Sequence, residues 1–140
     1  MNITAVLIAC CLAYAGSAAA ITFDCPRTLE IQQTATLADK SWDQVADRGI
    51  GPASLQTIAV YTDHPSKSGS LVPDQTKQSG QMEITIWRLP QDPAPYWMAC
   101  IYANSRVMLA KSVPKDAKQC QMTESLLNKK PNGVISFICK

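Results

Sequence analysis

The sequence has 140 residues, with 13 basic and 11 acidic side chains and a formal net charge of +2 at pH 7. This length fits one domain, and the nearly balanced charge lacks the dense Lys/Arg stripe of a nucleic-acid-binding protein. We therefore expect a small globular domain without a nucleic-acid partner.

Residues 1–20 carry no charged side chain and end in Ser17-Ala18-Ala19-Ala20. An apolar stretch followed by small residues is typical of a secretory signal peptide, although the positively charged start of such peptides is missing here. Lipoprotein processing at Leu7-Ile8-Ala9-Cys10 is an alternative, but it leaves a very short apolar stretch in front of the cysteine. We expect a signal peptide at 1–20, a single domain at 21–140 and a location outside the cytoplasm.

Short runs of β-forming residues recur along the rest of the chain. Strands are predicted at 28–33, 55–61, 82–89, 96–103, 106–113 and 134–139. Residues 41–47 are typical of one or two helical turns, and residues 120–128 fit either a strand or a short helix. The expected fold is mainly β: a small antiparallel meander that forms a barrel or sandwich, with one or two short helices.

Two segments of this pattern carry further information. In 82–89, Met82, Ile84 and Ile86 share one face of the strand, while Glu83, Thr85 and Trp87 share the other. The polar tract 62–80 has almost no apolar periodicity, and connectors of that length are often functional or disordered.

Four cysteines follow the predicted signal peptide, namely Cys25, Cys100, Cys120 and Cys139. An even number in an exported chain predicts two disulfides, for which three pairings exist. The chain has a single His and no C-x-x-C spacing, so neither a metal site nor a cofactor is predicted.

The turn signal Lys130-Pro131-Asn132-Gly133 bears on the pairing. If this turn joins two strands, Cys139 lies opposite a residue near Glu124, and Cys120 is out of disulfide reach. That register favours Cys100–Cys120 and Cys25–Cys139. The reasoning does not apply if residues 120–128 are helical.

No catalytic set is recognisable, so an enzyme is not predicted. His64 lies in the polar tract without a nucleophile motif, and the Asp residues mostly adjoin turn-forming residues. The aromatic residues Trp87, Tyr96, Trp97 and Tyr102 fall on two predicted strands. Core packing explains them most simply; alternatively, outward-facing Trp87 and Tyr96 anchor a partner.

The order of several cysteine, aromatic and proline positions resembles a group of small, uncharacterised exported proteins of Gram-negative bacteria, some encoded near type VI secretion genes. These positions are Cys25-Pro26, Trp42, Ile86-Trp87-Arg88-Leu89, Tyr96-Trp97-Met98-Ala99-Cys100-Ile101-Tyr102, Leu109, Val113-Pro114 and Cys120. The resemblance implies a periplasmic protein that gives immunity against a cell-wall-attacking effector, for example an L,D-transpeptidase. It defines no functional residues.

The leading hypothesis is a periplasmic immunity protein that binds and neutralises a cognate secreted toxin and has no membrane contact after signal cleavage. The expected contact residues are His64, Lys67, Asp74, Trp87, Asp92 and Tyr96. One alternative is an inhibitor of host lysozyme, since Ser79-Gly80-Gln81 weakly matches the Ser-Gly loop of such inhibitors. Others are a small envelope hydrolase and a structural protein.

Overall fold

A computed structural model describes residues 19–32, 41, 45, 51–67, 69–90 and 95–140. Within them lie nine strands: β1 Ile21–Thr22, β2 Thr28–Leu29, β3 Ala53–Tyr61, β4 Gln75–Ser79, β5 Met82–Arg88, β6 Trp97–Tyr102, β7 Met108–Ser112, β8 Gln119–Leu127 and β9 Lys130–Cys139. Pro65–Lys67 forms one turn of 3-10 helix. Most of the predicted signal peptide and of the predicted helical turns at 41–47 lies outside the described residues.

The strands form two antiparallel sheets that face each other as a sandwich. The first sheet has the order β1-β9-β8-β5-β4, and the second has the order β2-β3-β6-β7. The hairpins β4–β5, β6–β7 and β8–β9 alternate between the two sheets. The mainly β prediction is confirmed, and the architecture is a sandwich rather than a barrel.

The core lies between the sheets and is centred on aromatic side chains. Tyr102 and Phe137 are almost completely buried. The rings of Phe23 and Trp87 pack edge-on against Phe137, at centroid distances of 5.9 and 6.2 Å. Such edge-to-face pairs add to the free energy gained from burying their apolar area.

The segment between β1 and β2 crosses from the first sheet to the second. At its start the Phe23 amide donates to the Phe137 carbonyl at 3.0 Å, and at its end the Arg27 carbonyl accepts from the Leu55 amide at 2.8 Å. Between them the Tyr102 hydroxyl donates to the Pro26 carbonyl at 2.9 Å. These bonds attach the segment to both layers of the sandwich.

The disulfides join Cys25 to Cys100 and Cys120 to Cys139. Two disulfides are therefore confirmed, but the predicted pairing is wrong. Cys120 and Cys139 lie directly opposite each other in the β8–β9 ladder, with their Cα atoms 4.1 Å apart. Cys25 connects the crossing segment to the inner face of β6.

The predicted disulfide pairing was wrong because the turn between β8 and β9 lies at a different position from the one predicted. The β8–β9 hairpin turns at Asn128 and Lys129, both with positive φ, and Pro131 already pairs with Leu126 inside the ladder. Positive φ at both central residues is characteristic of a type I′ hairpin turn. Moving the turn toward the N-terminus, together with ladder irregularities on either side of Glu124, brings Cys120 opposite Cys139.

The polar tract 62–80 is not one long connector. Thr62 and Gly69 close a short loop, since the Thr62 amide donates to the Gly69 carbonyl at 3.1 Å. The tract then forms β4, whose residues are all exposed at the edge of the first sheet. Gly80, with a φ of 60°, begins the tight turn into β5. An edge strand without buried side chains has no apolar alternation by which a sequence could reveal it.

Removing the two disulfides separately should destabilise the protein unequally. Chain-entropy arguments give about 4 kcal/mol for the Cys25–Cys100 bridge and about 3 kcal/mol for Cys120–Cys139, since they span 75 and 19 residues. We expect the pair Cys25→Ala and Cys100→Ala to lower the free energy of unfolding in urea more than Cys120→Ala and Cys139→Ala. Peptide mapping without reduction provides the control; a Cys100–Cys120 peptide would contradict the structure.

Candidate functional site

The predicted contact residues that the structure describes fall into two groups. His64 and Lys67 lie at the 3-10 turn, and the His64 ring contacts Trp97, the chain neighbour of Tyr96. Asp74 precedes β4 and accepts from the amide of Arg88, the chain neighbour of Trp87 in β5. Asp92 lies outside the described residues.

His64 and Lys67 belong to a loop that is ordered by its own hydrogen bonds. Lys67 Nζ donates to Asp63 Oδ2 at 2.9 Å, and the Lys67 amide donates to the His64 carbonyl at 2.9 Å. The Lys67 hydrogen bond and that of the His64 amide lower the pKa of Asp63. The His64 ring packs edge-on against Trp97, with centroids 4.7 Å apart. The loop thus lies against the outer side of the second sheet.

The surroundings of His64 do not form a catalytic triad. Its Nδ1 lies 2.7 Å from Ser66 Oγ, but both Asp63 oxygens are bonded elsewhere, to the His64 amide and to Lys67 Nζ. In a triad the carboxylate orients the imidazole by accepting from its second nitrogen. This exposed loop therefore offers a Ser–His contact without that orientation.

Trp87 is a core residue and not a surface contact. Its side chain is 4% exposed, and Nε1 donates to the Leu71 carbonyl at 3.2 Å. The expectation that Trp87 points outward is therefore wrong. The predicted alternation along β5 is present, but the face with Trp87, Thr85 and Glu83 is turned toward the core.

Asp74 and Tyr96 have structural contacts at the sheet ends. Asp74 Oδ2 accepts from the Arg88 amide at 2.7 Å, and the Asp74 amide donates to the Ile86 carbonyl at 2.9 Å. The Tyr96 hydroxyl donates to the Pro90 carbonyl at 2.9 Å, and its ring packs against the core. Both residues fix the entry of a strand, whatever else they contact.

The outer side of the second sheet carries an apolar group that we call the Trp97 patch, comprising Tyr61, Trp97, Ile101 and Met108. Tyr61 pairs with Trp97 and Ile101 with Met108 across β6. The Tyr61 hydroxyl lies 3.6 Å from Met108 Sδ, so Tyr61 is only 9% exposed. With His64 against Trp97, this patch is partly covered by its own side chains and loop.

The outer side of the first sheet is different, and sequence reasoning missed it. One cross-strand row runs over all five strands through Thr22, Ile138, Gln121, Ile86 and Gln75. The next row runs through Ser136, Thr123, Ile84 and Lys77.

We call these two rows, together with Met82 and Arg88, the β5 outer face. Ile84 and Ile86 are half-buried but are not part of the core cluster, and Met82 is 44% exposed. The charged residues of the β5 outer face are Lys77 and Arg88, and the face contains no carboxylate. The alternation in 82–89 was the available signal, but it did not say which side faces the core.

The inner side of the same strands carries two carboxyl groups. Glu83 and Glu124 are directly opposite in the β5–β8 ladder. Glu124 is 5% exposed, and its Oε1 has no hydrogen-bond partner among the described residues. Burial, and then the neighbouring Glu83, raise the pKa of Glu124, while a hydrogen bond from Thr57 opposes them. Gln78 Nε2 donates to Glu83 Oε2 at 2.9 Å.

The described part of the chain contains no group of three or more His, Cys, Asp and Glu side chains that could hold a metal ion. No helix in it is long and apolar enough to cross a membrane. The two disulfides are typical of proteins that fold in an oxidising compartment.

The fold is a disulfide-bonded β-sandwich with half-buried aliphatic side chains on the outer side of its first sheet. A family model described as type VI secretion system Tli immunity protein matches residues 50–140, which include β3 to β9. The chain belongs to this family of immunity proteins. It is also similar to an Azospirillum brasilense protein described as "Uncharacterized 16.3 kDa protein in trpG 5'region", with 28% identity over 144 residues and 91% of each chain covered. No solved structure matches.

Replacing Trp87 should affect stability rather than toxin contact alone. We expect Trp87→Ala to lower the free energy of unfolding by about 3–5 kcal/mol, as for other large-to-small core changes. His64→Ala, at an exposed ring with one edge-on contact, should lower it by about 1 kcal/mol or less. Urea denaturation measures both values. A Trp87→Ala protein of unchanged stability would contradict the core position.

The buried Glu124 makes stability depend on pH. Because its pKa is raised in the folded state from an ordinary value of 4.5, its contribution is fully present below pH 4.5 and is lost as pH rises through the folded pKa. We expect Glu124→Gln to raise the free energy of unfolding at pH 7 by roughly 1 kcal/mol, and the gain to vanish below pH 4.5.

Glu30→Gln, at an exposed carboxyl, is the matched control and should change stability by less than about 0.5 kcal/mol. Urea titrations from pH 4 to pH 8 compare both variants with the wild type. Destabilisation by Glu124→Gln across the whole range would show that the carboxylate makes a required contact.

Proposed function

We propose that this protein is a periplasmic immunity protein without enzymatic activity, which binds a secreted toxin that attacks the cell envelope and blocks it. The match of residues 50–140 to the Tli immunity family carries this proposal. In the finer form, the toxin acts on the cell wall and is of the L,D-transpeptidase type.

Three structural features support a binding role outside the cytoplasm. Two disulfides brace a domain of this size, and a braced domain loses little conformational entropy on binding. The Asp63 carboxylate does not orient the His64 ring, so the loop favours a structural role over acid–base chemistry. The β5 outer face presents half-buried aliphatic side chains without carboxylates.

The lysozyme-inhibitor alternative depends on Ser79-Gly80-Gln81. These residues form the β4–β5 hairpin turn, where the Gln81 carbonyl accepts from the Leu126 amide at 2.7 Å. The turn is exposed, but one of its backbone groups is already bonded to β8. The family match favours the toxin over lysozyme as the partner.

Co-expression tests the proposal. Toxins encoded beside the gene are sent to the periplasm of a susceptible strain, in one arm a cell-wall-acting enzyme and in another a phospholipid-degrading enzyme. We expect the full chain to restore growth against one cognate toxin, and a version without residues 1–20 to fail because it neither meets the toxin nor forms its disulfides.

Rescue from each toxin leads to a different conclusion about the function. Rescue from the cell-wall enzyme supports the finer form, and rescue from the phospholipid enzyme alone replaces it while leaving the immunity role. Absence of rescue from every neighbouring toxin would contradict the immunity function. Degradation of peptidoglycan by the purified protein would instead identify an enzyme.

A further inference from the structure

We propose that the β5 outer face is the surface that docks the toxin, and that it takes a flat apolar toxin surface flanked by carboxylates. This inference rests on the proposed function and adds the binding surface and the chemistry of its partner. It moves the contact away from the His64 loop and from Trp87.

Strand β5 departs from the usual placement of apolar residues inside and polar residues outside. In a sheet with one buried face, apolar side chains ordinarily point to the core and polar ones outward. In β5, Met82, Ile84 and Ile86 point outward, while Glu83 and Thr85 point inward. An exposed large apolar group with a buried polar counterpart is the informative departure from that pattern.

The apolar area of the β5 outer face continues across neighbouring strands. Ile86 and Ile138 lie in one cross-strand row, on either side of Gln121, and Ile84 and Met82 extend the apolar area along β5. The residues between them are uncharged Gln, Thr and Ser. Interface cores are depleted in charged side chains in the same way.

The β5 outer face carries positive charge along one side. Lys77 and Arg88 lie at the β4–β5 side of the face. Among the described residues the ion pair is between Lys67 and Asp63, and neither Lys77 nor Arg88 takes part in one. Asp74, at the margin, is engaged by the Arg88 amide. In an isologous contact of two copies, Lys77 and Arg88 would meet uncharged side chains of the face or each other, and no carboxylate belonging to the face. A partner with carboxylates at that side is complementary, and a second copy is not.

The Trp97 patch on the second sheet is partly covered by other side chains of the protein. Tyr61 lies over Met108, and the His64 ring lies against Trp97, so the molecule itself covers part of that patch. The two faces therefore differ in these contacts, while Met82 and Met108 are similarly exposed, at 44% and 40%.

The test compares matched variants against the toxin that the wild-type protein neutralises. Ile84→Thr combined with Ile86→Thr keeps residues that suit an exposed strand, and we expect it to raise Kd at least about tenfold. Ile101→Thr, at the outward isoleucine of the second sheet, should change Kd by less than about twofold.

Charge reversal tests the second part of the proposal. We expect Lys77→Glu to slow association at low salt by about fivefold or more, with the difference shrinking as salt is added. Lys111→Glu, at an exposed lysine of β7, should change the association rate by less than about twofold.

Footprinting of the unmodified protein keeps the proposal testable if a variant fails to fold. Toxin binding should protect Lys77 from acetylation and leave Lys111 reactive. Unchanged Kd for the folded Ile84→Thr and Ile86→Thr variant, loss of binding through Ile101→Thr, or equal acetylation of Lys77 with and without toxin would each overturn the docking surface. A homodimer broken by the β5 variant would assign the face to a second copy.

The failure of the proposed function gives a different result. In that case the wild-type protein itself binds and neutralises none of the neighbouring toxins. A wild-type protein that protects cells, with β5 variants that protect equally well, would leave the immunity role intact and refute only this surface.

Discussion

The inward position of Trp87 constrains most of the molecule. Its indole packs against Phe137 and donates to the Leu71 carbonyl, which connects β5 to the segment that enters the first sheet. Because side chains alternate along a strand, this position also turns Thr85 and Glu83 inward and Ile84 and Ile86 outward. A slip of one residue would bury the isoleucines but would expel the indole from the core. One aromatic anchor thus creates both the inward-facing carboxyl pair, of which Glu124 is buried, and the apolar outer face.

The disulfides support this arrangement from within the core and at the crossing segment. Trp87, Cys120 and Cys139 lie in one cross-strand row, so the Cys120–Cys139 bridge fixes the register of the strands beside the indole. The Cys25–Cys100 bridge attaches the crossing segment to the second sheet. A domain of this size buries a modest core, and inward-facing Glu83 and Glu124 reduce its apolar content further. Covalent links offset that weakness without requiring more apolar residues inside.

The sequence predicted what depends on local pattern and failed where the choice is made in three dimensions. Alternating residues predicted β5, and continuous apolar runs predicted β6, because these patterns follow the strand period. The buried side of β5 was not predictable, since both of its faces contain apolar residues. The β8–β9 turn was misplaced because Pro131 and Gly133 are stronger turn formers than Asn128 and Lys129. Strand β4 was missed because every side chain in it faces solvent. The expected outward position of Trp87 was wrong for the same reason, since it depends on which side of β5 is buried.

The same rigidity explains why a sheet face suits this task better than the loop between Thr62 and Gly69. A backbone hydrogen bond between these two residues closes the loop, and its Asp63 and Lys67 side chains pair with each other. The β5 outer face belongs to a sheet whose register is fixed by a disulfide and an aromatic core, and its side chains lose little freedom when a partner covers them. An immunity protein must capture its toxin before damage occurs. A preformed apolar face with cations at one side allows fast, oriented association, because charge guides the encounter and the rigid apolar area then holds the complex.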